Sequence, residues 1–237
     1  MSAHELADVD LAATARPSDG LLSCAGVVKH FGATPALAGA SLALKPGEVV
    51  AVMGPSGSGK STMLHCAAGI IRPDSGSVRF GGEEIATVSD ARRSELRRTA
   101  FGFVFQFGRL VPELSCTENV ALPLMLNGVG RRAARTAAHE WLQRLEVADV
   151  GRSLPGEVSG GQGQRVAVAR SLVTGPRIVF ADEPTGALDS LNGERVMRLL
   201  TAAARERGTA VVLVTHEARV AAYADREVIV RDGRTRL

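Results

Sequence analysis

The chain has 237 residues and a formal net charge of +3, and 45% of its residues are hydrophobic and 22% charged. A chain of this length buries one substantial core, and no window approaches the roughly 20 uninterrupted apolar residues needed to span a bilayer. Because aromatic residues make up only 4% of the chain, no stacking platform is visible, and we expect no nucleic-acid partner. Three widely spaced cysteines, Cys24, Cys66 and Cys116, predict small buried side chains rather than a metal knuckle or a disulfide framework.

The first 20 residues are small and polar, so we expect a disordered tail over 1–20 and a single folded unit over 21–237. Apolar runs then predict strands at Leu21–Val28, Ala40–Leu44 and Val49–Met53, a helix at Ser61–Ala68 and another strand at Ser77–Phe80. The third of these strands is short and continuously apolar, which is typical of a parallel strand buried on both faces.

A glycine-rich loop joins that third strand to the helix, with the sequence Gly54-Pro55-Ser56-Gly57-Ser58-Gly59-Lys60-Ser61. Its glycines allow successive backbone N–H groups to surround phosphate oxygens, and the following helix points its positive end at the same anion. Lys60 is predicted to bridge the β- and γ-phosphates, Ser61 to ligate Mg²⁺, and Thr62 to contact the α-phosphate. The loop therefore predicts a nucleoside triphosphate site.

The rest of the chain divides into a helical stretch and a second alternation of strands and helices. Helical spacing from residue 90 onward predicts a helical insertion at about 90–172 within an α/β core. Strands are then predicted at Ile178–Ala181, Val211–Val214 and Glu227–Val230, with the last of them ending the fold. This order predicts an α/β protein with a mostly parallel sheet covered by helices on both sides.

Polar residues at the ends of these strands are the candidates for chemistry. Asp182 ends a buried strand, where a carboxylate is costly unless it serves a cation, so we expect it to hold Mg²⁺ through water. Glu183 beside it is the candidate general base, although an acidic pair capping a helix is the alternative. His216 is predicted to contact the γ-phosphate rather than serve as a structural hydrogen-bonding group, and Gln106, also after an apolar run, has a weaker case on its own.

A second glycine-containing segment, Ser159-Gly160-Gly161-Gln162, precedes another predicted helix. It forms a second anion site in a chain whose phosphate loop is already assigned. Two anion sites and one nucleotide per chain suggest that the second site serves the ATP of a partner copy. We therefore expect a two-fold symmetric homodimer that forms on ATP binding.

The ordered set of motifs resembles the ATP-binding subunit of ABC transporters from Leu21 to the C-terminus. The resemblance implies a P-loop NTPase (RecA-like) fold, a mostly parallel sheet with an antiparallel β subdomain and a helical insertion subdomain, and ATP hydrolysis with Mg²⁺. It makes Phe31 the aromatic residue that stacks on adenine, Gln106 a catalytic and metal-contacting glutamine, and Asp189 a nucleotide-site residue. One departure is Gly163, which follows the second anion segment where a longer polar residue is usual and costs about 1 kcal/mol of local helix stability.

Segments such as Ser61–His65 and Glu118–Pro123 resemble the macrolide-export, lipoprotein-release and cell-division branch of that family. The branch implies a separately encoded integral membrane permease, expected to be FtsX-like and to serve export or mechanotransmission. It also implies a cytoplasmic subunit, peripheral on the inner face of the cell membrane. A soluble ABC ATPase acting on a non-transport partner is the alternative, and a small-molecule kinase would leave the second anion segment unexplained.

Overall fold

The computed structural model describes residues 20–106 and 108–236. The tail predicted over 1–20 therefore lies outside the described residues, except for Gly20. The strands are β1 Leu22–Phe31, β2 Thr34–Leu44, β3 Val49–Met53, β4 Ser75–Phe80, β5 Glu83–Glu84, β6 Phe101–Phe105, β7 Ile178–Asp182, β8 Ala210–Val214, β9 Arg226–Arg231 and β10 Arg234–Arg236. The helices are α1 Lys60–Ala67, α2 Asp90–Thr99, α3 Cys116–Leu126, α4 Arg131–Arg144, α5 Gly160–Leu172, α6 Ser190–Glu206 and α7 Ala218–Ala221.

The larger sheet has six strands in the order β10-β9-β3-β8-β7-β6, and every pair except β10 with β9 is parallel. Its central strands are buried on both faces, which explains their continuous apolar sequences. Parallel pairing brings the carboxyl ends of β3, β7 and β8 to one edge of the sheet, with Asp182 opposite Val214. The α/β architecture predicted from the sequence is confirmed.

The smaller sheet is antiparallel, in the order β2-β1-β4-β5. One hydrophobic cluster fills the space between the two sheets around α1, and a second packs α3 to α6 against the opposite face of the larger sheet. Alternate residues of one strand serve the two clusters, as Val212 faces the first and Leu213 the second. The loop before α1 is thus held between the sheets.

Some predicted boundaries differ from the structure. The prediction that Glu227–Val230 is the last strand is wrong, because the Asp232-Gly233 turn returns the chain as β10 along β9. β2 begins at Thr34 rather than Ala40, since its exposed first residues are held by pairing with β1. The predicted insertion at about 90–172 contains β6, an edge strand of the larger sheet, so the placement of a subdomain boundary at residue 90 stays a proposal.

The three cysteines are buried and free, as predicted. Within the residues that the structure describes, no helix has both the length and the apolar character needed to cross a membrane.

Candidate functional site

Three glycines in the loop between β3 and α1 have positive φ, and at two of them the structure also leaves no room for a side chain. Gly54 has φ 148° and Gly59 has φ 105°. A Cβ atom at Gly54 would overlap the carbonyl oxygen of Val230, and one at Gly59 would overlap that of Ala36. The loop is therefore pressed between β9 and β2, and its path depends on these two glycines.

Lys60 begins α1 and turns its side chain back over the loop. Its Nζ donates hydrogen bonds of 2.9 Å to the carbonyl oxygens of Gly54 and Pro55, and the residue is buried. The first turn of α1 contains no acidic residue, so the positive end of the helix is not neutralised locally. The ammonium group and the helix N-terminus together make this loop an anion site.

A hydroxyl and a carboxylate meet at the end of the loop. The Ser61 hydroxyl donates a hydrogen bond of 3.0 Å to Oδ1 of Asp182, at the carboxyl end of β7. Mg²⁺ prefers oxygen ligands and usually takes only one or two from the protein when phosphates supply others. The predicted Ser61 and Asp182 ligands therefore fit the ion. Elsewhere, the described residues contain no cluster of three or more His, Cys, Asp or Glu side chains that could hold a metal.

Glu183 follows Asp182 and lies against His216 from the end of β8. Oε1 of Glu183 is 2.9 Å from Nδ1 of His216. Oε2 of Glu183 is buried without a hydrogen-bond partner among the described residues. The backbone of Glu183 has φ 49°, an uncommon conformation for a residue with a side chain, and its N–H donates to the Val214 carbonyl. Adjacent parallel strands thus hold a carboxylate with one free oxygen beside the loop.

Ser61, Glu183 and His216 line one cleft of about 610 Å³ together with the loop, and Asp182 contacts it through Ser61. The predicted residues in its wall are Ser56, Gly57, Gly59, Lys60, Ser61, Thr62, Gln106, Glu183 and His216. Ser58 stays within the loop, where its Oγ is buried and unpaired among the described residues. Ala36 of β2 also lines the cleft, and the sequence carries no signal for it because its position depends on the register of β2 with β1.

The pKa of His65, at the end of α1, is shifted by this environment. Burial lowers the pKa of His65, and the Asp182 carboxylate opposes that shift. The imidazole is therefore disfavoured as a cation on the buried side of α1, despite the nearby carboxylate.

The wall of the cleft does not include Gly54 or Asp182, and Phe31 and Asp189 also lie outside it. Phe31 ends β1 with 52% of its surface exposed, and the ammonium of Lys29 lies 5.8 Å from its ring centre. Asp189 caps α6, where its carboxylate accepts hydrogen bonds from the backbone N–H and the side-chain amide of Asn192. These hydrogen bonds hold the pKa of Asp189 below its ordinary value.

The Ser159–Gln162 segment forms the N-terminus of α5. The Ser159 hydroxyl accepts from the Gln162 N–H, and the Gln162 side chain accepts from the Ser159 N–H, so the two residues form a capping box. Gly161 lies so close to Asn192 that a Cβ there would be 2.8 Å from its Oδ1. Ser159 and Gly160 line a different cavity, which shares Gln106 with the cleft. Asn192, for which the sequence carries no signal, links this segment to Asp189 through a contact between helices.

Comparison with known proteins agrees with this geometry. A family model described as ABC transporter matches residues 37–186. The lipoprotein-releasing system ATP-binding protein LolD of Geobacter metallireducens is 43% identical over 218 residues, covering 90% of this chain and 97% of that protein. The protein of the same name from Bordetella pertussis is 46% identical, covering 84% of this chain and 86% of that protein.

Solved structures share the fold. The ATP-binding cassette MJ0796, determined as a dimer in a post-hydrolysis state bound to ADP and Pi, is 38% identical with a TM-score of 0.84, covering 91% of this chain and 97% of that chain. The cassette cbiO1 from Clostridium perfringens, part of an ABC transporter complex, is 29% identical with a TM-score of 0.83, covering 93% and 88% of the respective chains. The chain therefore belongs to the ABC transporter family, as an ATP-binding and ATP-hydrolysing subunit of the macrolide-export, lipoprotein-release and cell-division branch.

Proposed function

We propose that this ATPase drives a separate membrane permease by closing as a homodimer around ATP and reopening after hydrolysis. The observation that carries the proposal is the arrangement of two anion sites on one chain. The phosphate cleft is formed by Lys60 and the loop, whereas Ser159 at the start of α5 lies outside its wall. A second copy that presents its own Ser159 to this cleft would complete the site.

Within one chain, residues in the cleft and around it would share the binding of the nucleotide and its metal ion. Lys60 and the N–H groups of the loop would hold the phosphates, and Phe31 would stack on the adenine ring. Ser61 and Asp182, with Gln106, would hold Mg²⁺ directly or through water. The ion, when bound, supplies positive charge that stabilises the charge developing on the phosphate oxygens.

Glu183 is the proposed general base. Its Oε2 is buried without a partner among residues 20–106 and 108–236, whereas its Oε1 is held by His216. A buried carboxylate oxygen without a partner costs free energy in the resting chain, and it is available to accept a proton from water. His216 would orient that carboxylate and contact the terminal phosphate.

The second anion site is available for a partner. Ser159 and Gly160 are exposed at the N-terminus of a helix of 13 residues, and its first turn has no acidic side chain. Asn192 packs against Gly161 and is hydrogen-bonded to Asp189, so it connects this segment to the start of α6. The dimeric state of the cassette MJ0796 supports a homodimer as the closed form.

A groove beside the cleft is the proposed docking surface for the permease. It has a volume of about 570 Å³ and an apolar floor that includes Phe103, Phe105 and Leu122. Arginines surround this floor, namely Arg97, Arg98, Arg109 and Arg170. An amphipathic permease segment with acidic residues on its polar face would complement it.

Part of the lining of this groove, namely Arg109, Leu122, Pro123 and Leu126, belongs to the region 107–126 after Gln106, where the family resemblance places the coupling helix of the permease. Relatives of the chain are named as ATP-binding proteins of a lipoprotein-releasing system, which agrees with a role in a larger transport system. The FtsX-like character of the partner, and its use of closure for export or mechanotransmission, are inferred from the resemblance to this branch of the family. A location at the inner face of the cell membrane follows from that partner.

The Glu183→Gln variant tests the proposal. We expect ATP binding to persist, turnover to fall by about 10²- to 10⁴-fold, the range for loss of a general base, and an ATP-bound dimer to accumulate. Steady-state phosphate release and size-exclusion chromatography with ATP measure these effects. Glu140→Gln, at an exposed position on α4, is the matched control and should behave as the unsubstituted protein.

A second substitution tests the dimer interface independently of the general base. Ser159→Arg in the Glu183→Gln background should prevent the ATP-bound dimer and leave nucleotide affinity of the monomer unchanged, because Ser159 is exposed and outside the cleft wall. A dimer that still forms would refute the proposed role of Ser159 across the interface, and normal turnover of Glu183→Gln would refute the role of the base.

A further inference from the structure

An arginine outside the nucleotide cleft joins two segments that end at the proposed catalytic groups. Nη1 of Arg219 donates a 2.6 Å hydrogen bond to Oγ of Ser190, the first residue of α6. Nε of Arg219 donates a 2.6 Å hydrogen bond to Oε2 of Glu217. Ser190 follows Asp189, and Glu217 follows His216, so one guanidinium spans from the start of α6 to the segment after β8.

The side chain of Glu217 binds Arg219 and does not cap its own helix, α7. This residue occupies the N-cap position of α7, yet its side chain makes no cap hydrogen bond to that helix. The backbone N–H of Glu217 donates instead to Oγ1 of Thr215, a fully buried residue at the end of β8. His216 is thus held between Thr215, which is fixed in the core, and Glu217, which is fixed by Arg219.

The bridge crosses a gap between the two helices. A cavity of about 130 Å³ lies between them, with Gly193 and Met197 of α6 on one side and Val220 of α7 on the other. Ser190 and Arg219 both line this cavity. Where close packing is missing, the charge-assisted hydrogen bond from Arg219 to Ser190 is a stiffer connection between the two helix starts than the surrounding side chains provide.

We propose that Arg219 is a positioning residue, which transmits the position of the Asp189–Ser190 start of α6 to His216 and thereby to Glu183. It touches neither nucleotide nor the reacting atoms. In the closed dimer a partner copy would contact the surface around Asp189, and the bridge would carry that contact to the hydrolytic pair. The inference rests on the proposed roles of Glu183 and His216.

Three variants test the bridge through ATP turnover. Arg219→Ala and Ser190→Ala should each lower kcat by about three- to fivefold, the effect of losing one exposed charged hydrogen bond. The double variant should be no slower than either single variant, because both remove the same link. Ser190→Ala leaves the Asp189 cap of α6 in place, so the helix itself should be unaffected.

Further measurements distinguish positioning from stability. ATP affinity, Tm and ATP-driven dimerisation in the Glu183→Gln background should be unchanged in Arg219→Ala, whereas kcat falls. Arg219→Lys retains the charge, but its single ammonium cannot reproduce the fork that spans both partners, so we expect intermediate turnover. Arg198→Ala, an exposed arginine of α6, is the matched control and should hydrolyse ATP at the normal rate.

Normal kcat in Arg219→Ala, additive effects in the double variant, or a Tm that falls in step with kcat would each overturn the bridge. His216→Ala tests the underlying function separately. If His216→Ala hydrolyses ATP normally, the role proposed for the histidine fails. If it is slow while Arg219→Ala is normal, only the link through Arg219 fails.

Discussion

Replacing Gly59 with alanine should destabilise the folded protein more than the same replacement at Gly57, although both lie in the phosphate loop. Both residues have positive φ, 105° at Gly59 and 76° at Gly57. A Cβ atom at Gly57 would meet no atom within 4 Å, whereas one at Gly59 would overlap the Ala36 carbonyl oxygen and lie 3.1 Å from Leu37 Cδ2. Comparing the two variants therefore separates the free-energy cost of backbone strain from the cost of steric overlap.

The expected difference follows from these two contributions. Alanine at a positive φ costs about 1–2 kcal/mol, which applies to both variants. Gly59→Ala carries a further ~1–3 kcal/mol, because the overlapping atom belongs to the backbone of β2 and cannot rotate away. We expect Gly57→Ala to lose about 1–2 kcal/mol and Gly59→Ala roughly 2–5 kcal/mol of unfolding free energy.

Urea unfolding without nucleotide measures this difference, since ligand contacts then make no contribution. Equal unfolding free energies for the two variants would refute the steric argument and would mean that β2 moves freely away from the loop. Nucleotide affinity is a separate readout. Gly57 lines the cleft, so Gly57→Ala could lose affinity while keeping more of its stability.

Three other predictions concern residues away from the cleft. Gly163→Ala should raise the unfolding free energy by about 0.5–1 kcal/mol, because its Cβ would lie at an ordinary 3.7 Å from Val158 in the interior of α5; urea unfolding would show no gain if the glycine were required. The Lys29 hydrogen bond holds the pKa of Asp74 below its ordinary 3.8, so this carboxylate stabilises the fold above that pH and the contribution is lost as pH falls through the lowered pKa. The stability advantage over Asp74→Asn should be constant near about pH 6 and shrink below about pH 4, and a difference that does not vary with pH would contradict this. Burial raises the pKa of Cys66 to about 11. A maleimide at about pH 8 should therefore label this thiol only as fast as the protein unfolds, and rapid labelling of the native protein would contradict this prediction.

Much of the fold could be predicted from the sequence because the central strands are buried on both faces. Such strands are written as unbroken apolar runs, and the run before Gly54 and the run before Asp182 both became parallel neighbours of β8. Parallel strands place their carboxyl ends together, so Asp182, Glu183 and His216 could be assigned to one edge of the sheet from their positions in the chain. For these residues, local pattern and global topology agree.

The elements that are poorly predicted from the sequence are held by pairing with a neighbouring strand rather than by burial of apolar side chains. The first residues of β2 are exposed, and β10 has three residues with alternating exposure, so neither has an apolar signal. Contacts between helices also leave no recognisable pattern in the sequence. Gly161 against Asn192 joins residues 31 positions apart in the chain, and no helical period or capping rule relates them. Their proximity follows only from the way α5 and α6 pack.

Buried polar groups in folded proteins usually have hydrogen-bond partners, and two exceptions in this chain, on Ser58 and Glu183, lie where the chemistry is proposed. Among the described residues, four buried side-chain atoms have no hydrogen-bond partner, on Ser58, Arg165, Glu183 and Thr185. Ser58 belongs to the phosphate loop, and Glu183 and Thr185 belong to the segment after β7. Each unpaired group costs free energy in the isolated chain, and Glu183 adds the strain of a positive φ. A bound nucleotide and a second copy of the chain could supply the missing hydrogen-bond partners near the cleft. The unpaired groups and the strained backbone of Glu183 therefore cannot be derived from the sequence of one chain alone.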